Sequence, residues 1–404
     1  MNPFMNPFKA AYCRIFQTVM RIALPILPYR RPTILDAVTD IPALLKEKDR
    51  KKPLLVTDAF LRKSGLTASL EQALEGSGLS VSVFDQVCVN PTTDNIALAY
   101  GQYVRDGCDC LIGFGGGSPI DCAKAIGAQA TRPKKTLAQM SGILGVRRRT
   151  PLTIAVPTTA GTGSETTLAA VVTDAKTRHK YALMDFPLIP DYAVLDPQLT
   201  VSLPPQLTST TGMDALTHAT EAFIGRSTTK ETRAEALEAV QIIFANIEQA
   251  YQHGDDLAAR RAMLRAAYLA GDAFSKSYVG YVHAIAHSLG GKYNIAHGLA
   301  NAVLLPNVLE GYGEVIYPKL HQLAIAAGIA SENDSNEAAA KHYIAEIRRL
   351  NKAMNIPETL PGIRREDIPE MARYAEKEGN PLYPVPVLWE TEQFMPYYEQ
   401  VMEK

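Results

Sequence analysis

The chain has 404 residues, 47% of them hydrophobic and 21% charged, proportions of a globular protein that exclude a disordered, fibrous or coiled-coil chain. Its 41 Lys and Arg oppose 42 Asp and Glu, so the formal net charge of -1 gives no global field toward nucleic acid or anionic lipid. Five scattered cysteines make no disulfide framework and fit a reducing cytoplasm, and no apolar run approaches the ~20 residues of a membrane-spanning helix.

Residues 1–35 form a basic arm, with Lys9, Arg14, Arg21, Arg30 and Arg31 and no acidic residue before Asp36. Phe8 to Leu24 reads as an amphipathic helix ended by Pro25 and Pro28. The apolar run Ile22 to Leu27 is short and proline-broken, which argues against a signal peptide. The arm is expected to pack on the body or on a second subunit; weak contact with a membrane surface is the other reading.

Residues 36–200 are assigned to one domain because between about Lys52 and Pro197 short β-branched runs alternate with helical stretches, the pattern of a parallel sheet covered by helices. Strands are predicted at Pro53–Thr57, Ser80–Phe84, Cys110–Gly113, Leu152–Val156, Ala169–Thr173 and Tyr192–Leu195, all in that sheet. Helices are predicted at Leu61–Glu75 and Thr93–Arg105. Leu195–Gln198 with Pro204-Pro205 suits a hinge. Residues 201–404 carry successive alanine-rich helical runs, predicted at Ser209–Ile224, Lys230–Tyr251, Asp256–Ser275, His283–Gly290, Leu299–Gly311 and Tyr317–Ala327. The fold class is therefore an α/β dinucleotide-binding domain with a Rossmann-like parallel sheet, followed by an all-α domain.

Two small-residue loops follow predicted strands. In Gly113-Phe114-Gly115-Gly116-Gly117-Ser118-Pro119-Ile120-Asp121 the glycines permit a sharp turn and close approach of a ligand, Ser118 suits a helix N-cap, and Asp121 is placed as in a capping box. A helix start of this kind attracts a pyrophosphate, although the spacing is not the usual dinucleotide fingerprint. The second loop, Pro157-Thr158-Thr159-Ala160-Gly161-Thr162-Gly163-Ser164-Glu165, leaves a neighbouring strand at the same carboxyl edge. Asp58 closes the first strand of the series, where its carboxylate either accepts from an adenosine ribose, favouring NAD over NADP, or caps the next helix.

Four of the eight histidines fall in one window of the helical part. Asp214 and His218 stand four residues apart, as do His283 and His287, so each pair leaves one helix face one turn apart. His297 lies fourteen residues after His283, about 21 Å away on a continuous helix, so the chain must fold back; Gly290-Gly291 and Asn294 are the predicted break. One carboxylate with two or three imidazoles suits a divalent first-row metal such as Zn, Fe or Ni, whereas a lone histidine on an apolar helix is usually a hydrogen-bonded core residue.

Taken together, Gly115–Asp121, Pro157–Glu165, Gly212–His218 and His283 through Pro306, with Gly298, Asn301 and Ala302, resemble the iron-containing (group III) alcohol dehydrogenases, related in fold to dehydroquinate synthase. The resemblance runs from about Thr33 to the carboxyl end. It implies that Asp214, His218, His283 and His297 ligate Fe²⁺, or Zn²⁺ or another divalent ion, and that His287 is a non-ligand beside the nicotinamide. It further implies pyrophosphate contacts from Gly116, Gly117 and Ser118, adenine-side contacts from Thr158 and Thr159, and a nicotinamide-ribose role for Lys180. Asn90-Pro91-Thr92 resembles the family's second-strand exit near the adenosine. Asp121 and Ser164 complete the expected cofactor set with Asp58 and Asn90.

The function expected is hydride transfer between a small or medium alcohol and NAD at the cleft between domains, with His287, of ordinary pKa near 6.5, relaying the proton. A homo-oligomer, a cytoplasmic location and no nucleic-acid partner are expected with it. The alternatives are a dehydroquinate synthase-like lyase or polyol dehydrogenase of the same fold, and a non-catalytic nucleotide- or metal-binding scaffold. The lyase needs several Lys and Arg near the metal, and the motif segments offer only Lys292.

Overall fold

The computed structural model describes residues 6–177 and 179–403. They divide into two compact units, Met1–Leu27 with Leu203–Lys404, and Pro28–Ser202. The first helix, α1 (Pro7–Ala23), belongs to the helical unit and is taken up with it.

In the second unit, β1 (Thr33–Leu35), α2 (Ile41–Glu47), β2 (Pro53–Val56), α3 (Ala59–Lys63), α4 (Ala68–Gly76), β3 (Ser82–Phe84), α5 (Thr93–Arg105), β4 (Cys110–Gly115) and α6 (Gly117–Thr131) come first. They are followed by β5 (Gly142–Ile143), β6 (Leu152–Pro157), β7 (Ala169–Thr173), β8 (Lys180–Met184) and β9 (Tyr192–Val194). Six strands form a wholly parallel sheet in the order β1-β9-β6-β4-β2-β3. Alternate residues feed two cores: Leu55, Ile112 and Phe114 pack on one face with Ile41, Leu70 and Leu74, while Leu54, Val56 and Leu111 pack on the other with Ile96, Ala123 and Ile126. The chain reverses direction of winding between β2 and β4, and in open α/β sheets that switch point opens a crevice at the carboxyl ends of the strands.

Three expectations need correction here. Ala169–Thr173 is a strand but lies outside the parallel sheet: it pairs antiparallel with β8, from Ala169↔Met184 to Thr173↔Lys180, in a second sheet β5-β8-β7. The hairpin is set by Asp174, whose Oδ1 accepts from Lys176 N at 2.9 Å and Thr177 N at 2.8 Å. The sixth parallel strand is instead β1, three residues at the end of the stretch read as an arm. Finally, Leu61–Glu75 is two helices, because Gly65 turns to φ +79 between them.

The helical unit comprises α1 with α7 (Pro205–Ile224), α8 (Lys230–Gln252), α9 (Leu257–Ser277), α10 (Tyr281–Tyr293), α11 (His297–Tyr312), α12 (Tyr317–Ala326), α13 (Asn336–Ala353), α14 (Ile368–Gly379) and α15 (Thr391–Val401). The break before His297 is not made by glycine: Gly290 and Gly291 lie inside α10, and Asn294 stops the helix in the left-handed region at φ 54. A short asparagine tolerates that conformation where most side chains do not. The arm divides between the units. Residues 28–35 belong to the α/β unit, with 33–35 in its sheet, and α1 belongs to the helical unit, where Arg14 Nη1 and Nη2 donate to Val385 O (2.7 Å) and Pro386 O (2.9 Å) and Gln17 Nε2 donates to Tyr383 O (2.7 Å). Among the described residues no helix is long and apolar enough to cross a membrane.

Candidate functional site

The segments read from sequence as cofactor sites stand at the carboxyl ends of β2, β3, β4 and β6. Register pairs Gly115 with Pro157, and Thr158 N donates to Gly115 O at 3.0 Å, so the glycine and threonine loops are neighbours. Gly115 has φ +146, and a Cβ there would fall 2.6 Å from Pro119 Cγ; no other residue fits the turn. Ser118 does not cap the following helix. Helix α6 starts at Gly117 with Gly116 as its N-cap and no side chain bonding its first N–H groups, the condition in which a helix start receives an anion. Asp121 does not complete a capping box either. Its Oδ1 accepts from Ser164 Oγ (2.6 Å) and its Oδ2 from Val171 N (3.0 Å), both of which face it across the packed core.

That carboxylate belongs to a buried network. Lys124 Nζ donates to Ser164 Oγ (3.1 Å), Thr167 O (2.9 Å), Thr167 Oγ1 (3.0 Å) and Ala169 O (2.9 Å). Burial pulls the Lys124 ammonium down to about 8 and pushes the Glu165 carboxyl up to about 7. Asp121 and Ser164 therefore spend polar atoms tying the two loops together. Three other expected residues also meet: Asn90 N donates to Ser118 Oγ at 3.3 Å, and Lys180 Nζ donates to Asn90 Oδ1 at 2.9 Å, while burial lowers the lysine's pKa. Asp58 is the N-cap of α3, its Oδ1 accepting from Leu61 N at 2.9 Å.

In the helical unit, three helices bring four ligand-type side chains to one point. Asp214 and His218 project from α7, His283 from α10 and His297 from the first turn of α11, and one candidate ligand atom of each lies within 4.8 Å of all the others. Close backbone approach makes this possible: Gly298 sits where a Cβ would be 2.5 Å from Thr210 O and 3.5 Å from Asp214 Cβ. Asn301, one turn after His297, reaches the same point. Its Nδ2 lies 2.7 Å from Asp214 Oδ1, 3.2 Å from His283 Nε2 and 3.1 Å from His297 Nε2. An amide NH₂ carries two hydrogens and faces three acceptors, so lone pairs converge here in excess of the donors. That is the arrangement a cation satisfies, and oxygen with imidazole nitrogen suits a divalent first-row ion.

Behind the ligands stands Glu221. Its Oε2 lies 2.5 Å from His283 Nδ1, and its two oxygens accept from Gly280 N and Val282 N at 2.8 Å each. Burial pushes this carboxyl up to about 8 against the pull of those N–H groups. The His283 imidazole is held well below its ordinary value, by burial first and then by His218, His297 and His287. The neutral tautomer with Nδ1–H toward Glu221 presents the Nε2 lone pair to the ligand cluster. His287 stands apart from the four ligands, half-exposed, its ring centroid 5.9 Å from that of His283 and 5.1 Å from that of His297. Glu378 Oε1 lies 2.6 Å from His287 Nδ1 and accepts from Tyr383 Oη at 2.6 Å. Lys292 is committed elsewhere, to Glu370 and Asp367.

Glu221 and Glu378 are not among the residues singled out from sequence, and Asn301 appears there only as part of a motif, without a role at the cluster. Helical spacing carries a signal for two of them, since Asn301 is four residues from His297 and Glu221 three from His218; Glu378 is 91 residues from its partner.

Comparison with known proteins gives concordant results. Residues 35–197 match the domain described as iron-containing alcohol dehydrogenase, and residues 208–401 match the Fe-containing alcohol dehydrogenase family, C-terminal domain. The chain is 41% identical over 337 residues to 1,3-propanediol dehydrogenase of Klebsiella pneumoniae, covering 82% of this chain and 86% of that protein. It is 37% identical over 344 residues to NAD-dependent methanol dehydrogenase of Bacillus methanolicus, covering 84% and 89% respectively. Its fold superposes on the crystal structure of 1,3-propanediol oxidoreductase with a TM-score of 0.89 at 37% identity, covering 93% of this chain and 99% of that one.

Proposed function

The chain belongs to the iron-containing alcohol dehydrogenase family, and from that premise we propose that Asp214, His218, His283 and His297 hold its Fe²⁺ and that the β2, β3, β4 and β6 exits hold its NAD. The protein is a metal-dependent, NAD-linked alcohol dehydrogenase and aldehyde reductase. Convergence of four ligand atoms from three helices carries the assignment of the site.

When bound, the ion supplies Lewis acidity that lowers the pKa of an alcohol hydroxyl and polarises a carbonyl, and the nicotinamide supplies the hydride acceptor. The chain's own residues do the rest. Glu221 fixes the ring of His283 and its tautomer, so that the ring faces the cluster through Nε2. His287, whose Nδ1 meets the Glu378 carboxylate, stands beside the ligand cluster as the group to take up the hydroxyl proton, and the carboxylate stabilises the imidazolium so formed. Gly116 and Gly117, with Ser118, receive the pyrophosphate at the uncapped start of α6, and Thr158 and Thr159 line the adjacent loop. Asn90 and Lys180 act as a bonded pair on the nicotinamide-ribose and adenosine side, and Asp121 and Ser164 act by bracing the loops. The free oxygen of Asp58 is the acceptor for the ribose hydroxyl.

Substrates are small primary alcohols and diols and the matching aldehydes, the class named for the propanediol and methanol dehydrogenases above. A cytoplasmic homo-oligomer is the working form. The test is a panel of primary alcohols, diols and hydroxy acids with NAD and with NADP, loaded with Fe²⁺ or Zn²⁺. His283→Ala abolishes both metal content and turnover, and His287→Gln lowers turnover at unchanged metal content. Full turnover in metal-free His283→Ala protein would end the assignment.

A further inference from the structure

Helix α1 is turned opposite to the usual sense. The face laid on the helical unit carries the buried Cys13 with Arg14 and Gln17, whose side chains bond the carbonyls of residues 383–386, and Ser227 Oγ donates to Gln17 O at 3.1 Å. The apolar residues face outward. Phe8, Tyr12, Ile15, Val19 and Ile22 on α1, and Ile26 in the tighter turn Leu24–Ile26 that continues it, are between 58% and 87% exposed. Their spacing is four, three, four, three, four, which is a strict heptad a/d seam, narrower than the broad stripe of a helix that serves a globular core.

We propose that this seam is a self-association surface, and that two copies of the chain pair through α1, seam against seam. Three observations select a second copy as the occupant. First, six large apolar side chains more than half exposed present on the order of 800 Å² in one strip, which exceeds the patch a monomer ordinarily leaves in water and equals one partner's share of a standard interface. Second, the seam is bordered by Ala11, Thr18 and Ala23, small residues that let a second helix approach. Third, the cations are not beside it. Lys9 is paired with Glu376, Arg14 is turned to the carbonyls of Val385 and Pro386, and Arg21 lies on the far side of the helix by its spacing from Ile15 and Ile22. A helix that lies on anionic lipid carries Lys and Arg along the borders of its apolar face, and this one does not. A free helix of this length is marginal in water, but α1 is held in place by its inner face, so pairing need not supply the ordering of the helix. The seam also precedes residue 35, where the family match begins. The inference does not rest on the substrate or metal reading.

The test is the mass of the full chain by sedimentation velocity, native against Ile15→Glu/Ile22→Glu. The native assembly is expected to have twice the mass of the variant, with turnover per chain and circular dichroism unchanged. Equal masses overturn the proposal, whatever the common value. A second measurement does not rely on that variant. In a Cys88→Ser background, Val19→Cys lies at mid-seam and a short bismaleimide is expected to join two chains through it, while Leu98→Cys, exposed on α5, is not joined. Equal cross-linking of the two, or none, also overturns the proposal. So does co-sedimentation of the native protein with vesicles of phosphatidylcholine and phosphatidylserine that Ile15→Glu/Ile22→Glu abolishes at unchanged mass, because the seam would then be a membrane surface.

Discussion

Replacing Glu221 by Gln isolates what the buried carboxylate does for the ligand cluster, because shape and volume are kept while the acceptor count changes. Three donors surround the side chain: Gly280 N and Val282 N at 2.8 Å, and His283 Nδ1 at 2.5 Å. Gln offers a single acceptor oxygen, and its NH₂ must then point at one of these groups. If the NH₂ takes the Oε1 position it meets Val282 N–H, and two buried donors oppose each other. If it takes the Oε2 position it meets Gly280 N–H and His283 together, and that ring is forced into the tautomer with Nδ1 as acceptor and Nε2 protonated, and a protonated Nε2 cannot ligate. Either outcome loses a charge-assisted hydrogen bond worth about 1.5–3 kcal/mol. The second falls directly on the metal, for which loss of such an outer partner typically costs about 10–100-fold in affinity, or roughly 1.4–2.7 kcal/mol. The assay is competition of the purified variant against a chelator of known affinity, first with Zn²⁺ in air and then with Fe²⁺ under argon, alongside kcat at saturating metal. A Kd within twofold of the native value would refute the idea that Glu221 sets the tautomer of His283.

Other residues give equally definite outcomes. Gly298→Ala places a methyl 2.5 Å from Thr210 O, a backbone atom that cannot move without separating α7 from α11; the unfolding free energy falls by about 1–3 kcal/mol and the stabilisation on adding metal shrinks, both read by thermal unfolding with and without Zn²⁺. Asp58→Ser keeps an oxygen to cap α3 but removes the carboxylate, so KM for NADP falls at nearly unchanged Tm; if discrimination between NAD and NADP is unaltered, Asp58 is a cap and nothing more. Glu165 has its carboxyl raised to about 7 from the ordinary 4.5, so its contribution is complete below pH 4.5 and is lost as pH rises through 7; relative to Glu165→Gln, native stability in urea declines by about 3 kcal/mol between pH 4.5 and 8, and a constant difference contradicts the burial argument.

What could be read in the sequence is what local geometry determines. Asp214 with His218 and His283 with His287 are visible because a helix fixes residues four apart on one face, whatever it packs against. The strand–glycine–helix passage at Gly113–Asp121 is visible for the same reason, but the caps assigned within it are not. Capping competes with every other partner the fold supplies, and Asp121 found Ser164 and Val171, 43 and 50 residues away. Strand β1 escaped because three residues carry too little pattern, and β7 was given the wrong sheet because alternation reports a strand without reporting its neighbour. Glu378, so close to His287, had no local signal at all. Helix α1 shows the limit most clearly. Its amphipathicity is plain from the sequence, but the side that faces inward is decided by the carbonyls of residues 383–386, and they recruit the polar side.

The charge arithmetic of the centre follows from the same long-range packing. Asp214 is 2% exposed and His283 2% exposed, so neither can discharge an electrostatic imbalance into water. One carboxylate and three neutral imidazoles around a divalent ion would leave one positive charge, and the Glu221 carboxylate, reaching the cluster through His283, would bring the buried group to balance. Asp214 and Glu221 are both buried, and burial raises the Glu221 carboxyl to about 8. Metal uptake at neutral pH is therefore expected to release a proton, and the metal Kd measured by chelator competition is expected to fall as pH rises to about 8 and to level beyond it. In Glu221→Gln that rise is absent over the same interval, since the group that gives up the proton is no longer there, whereas a metal dependence set by the imidazoles alone keeps its slope at lower pH in both proteins.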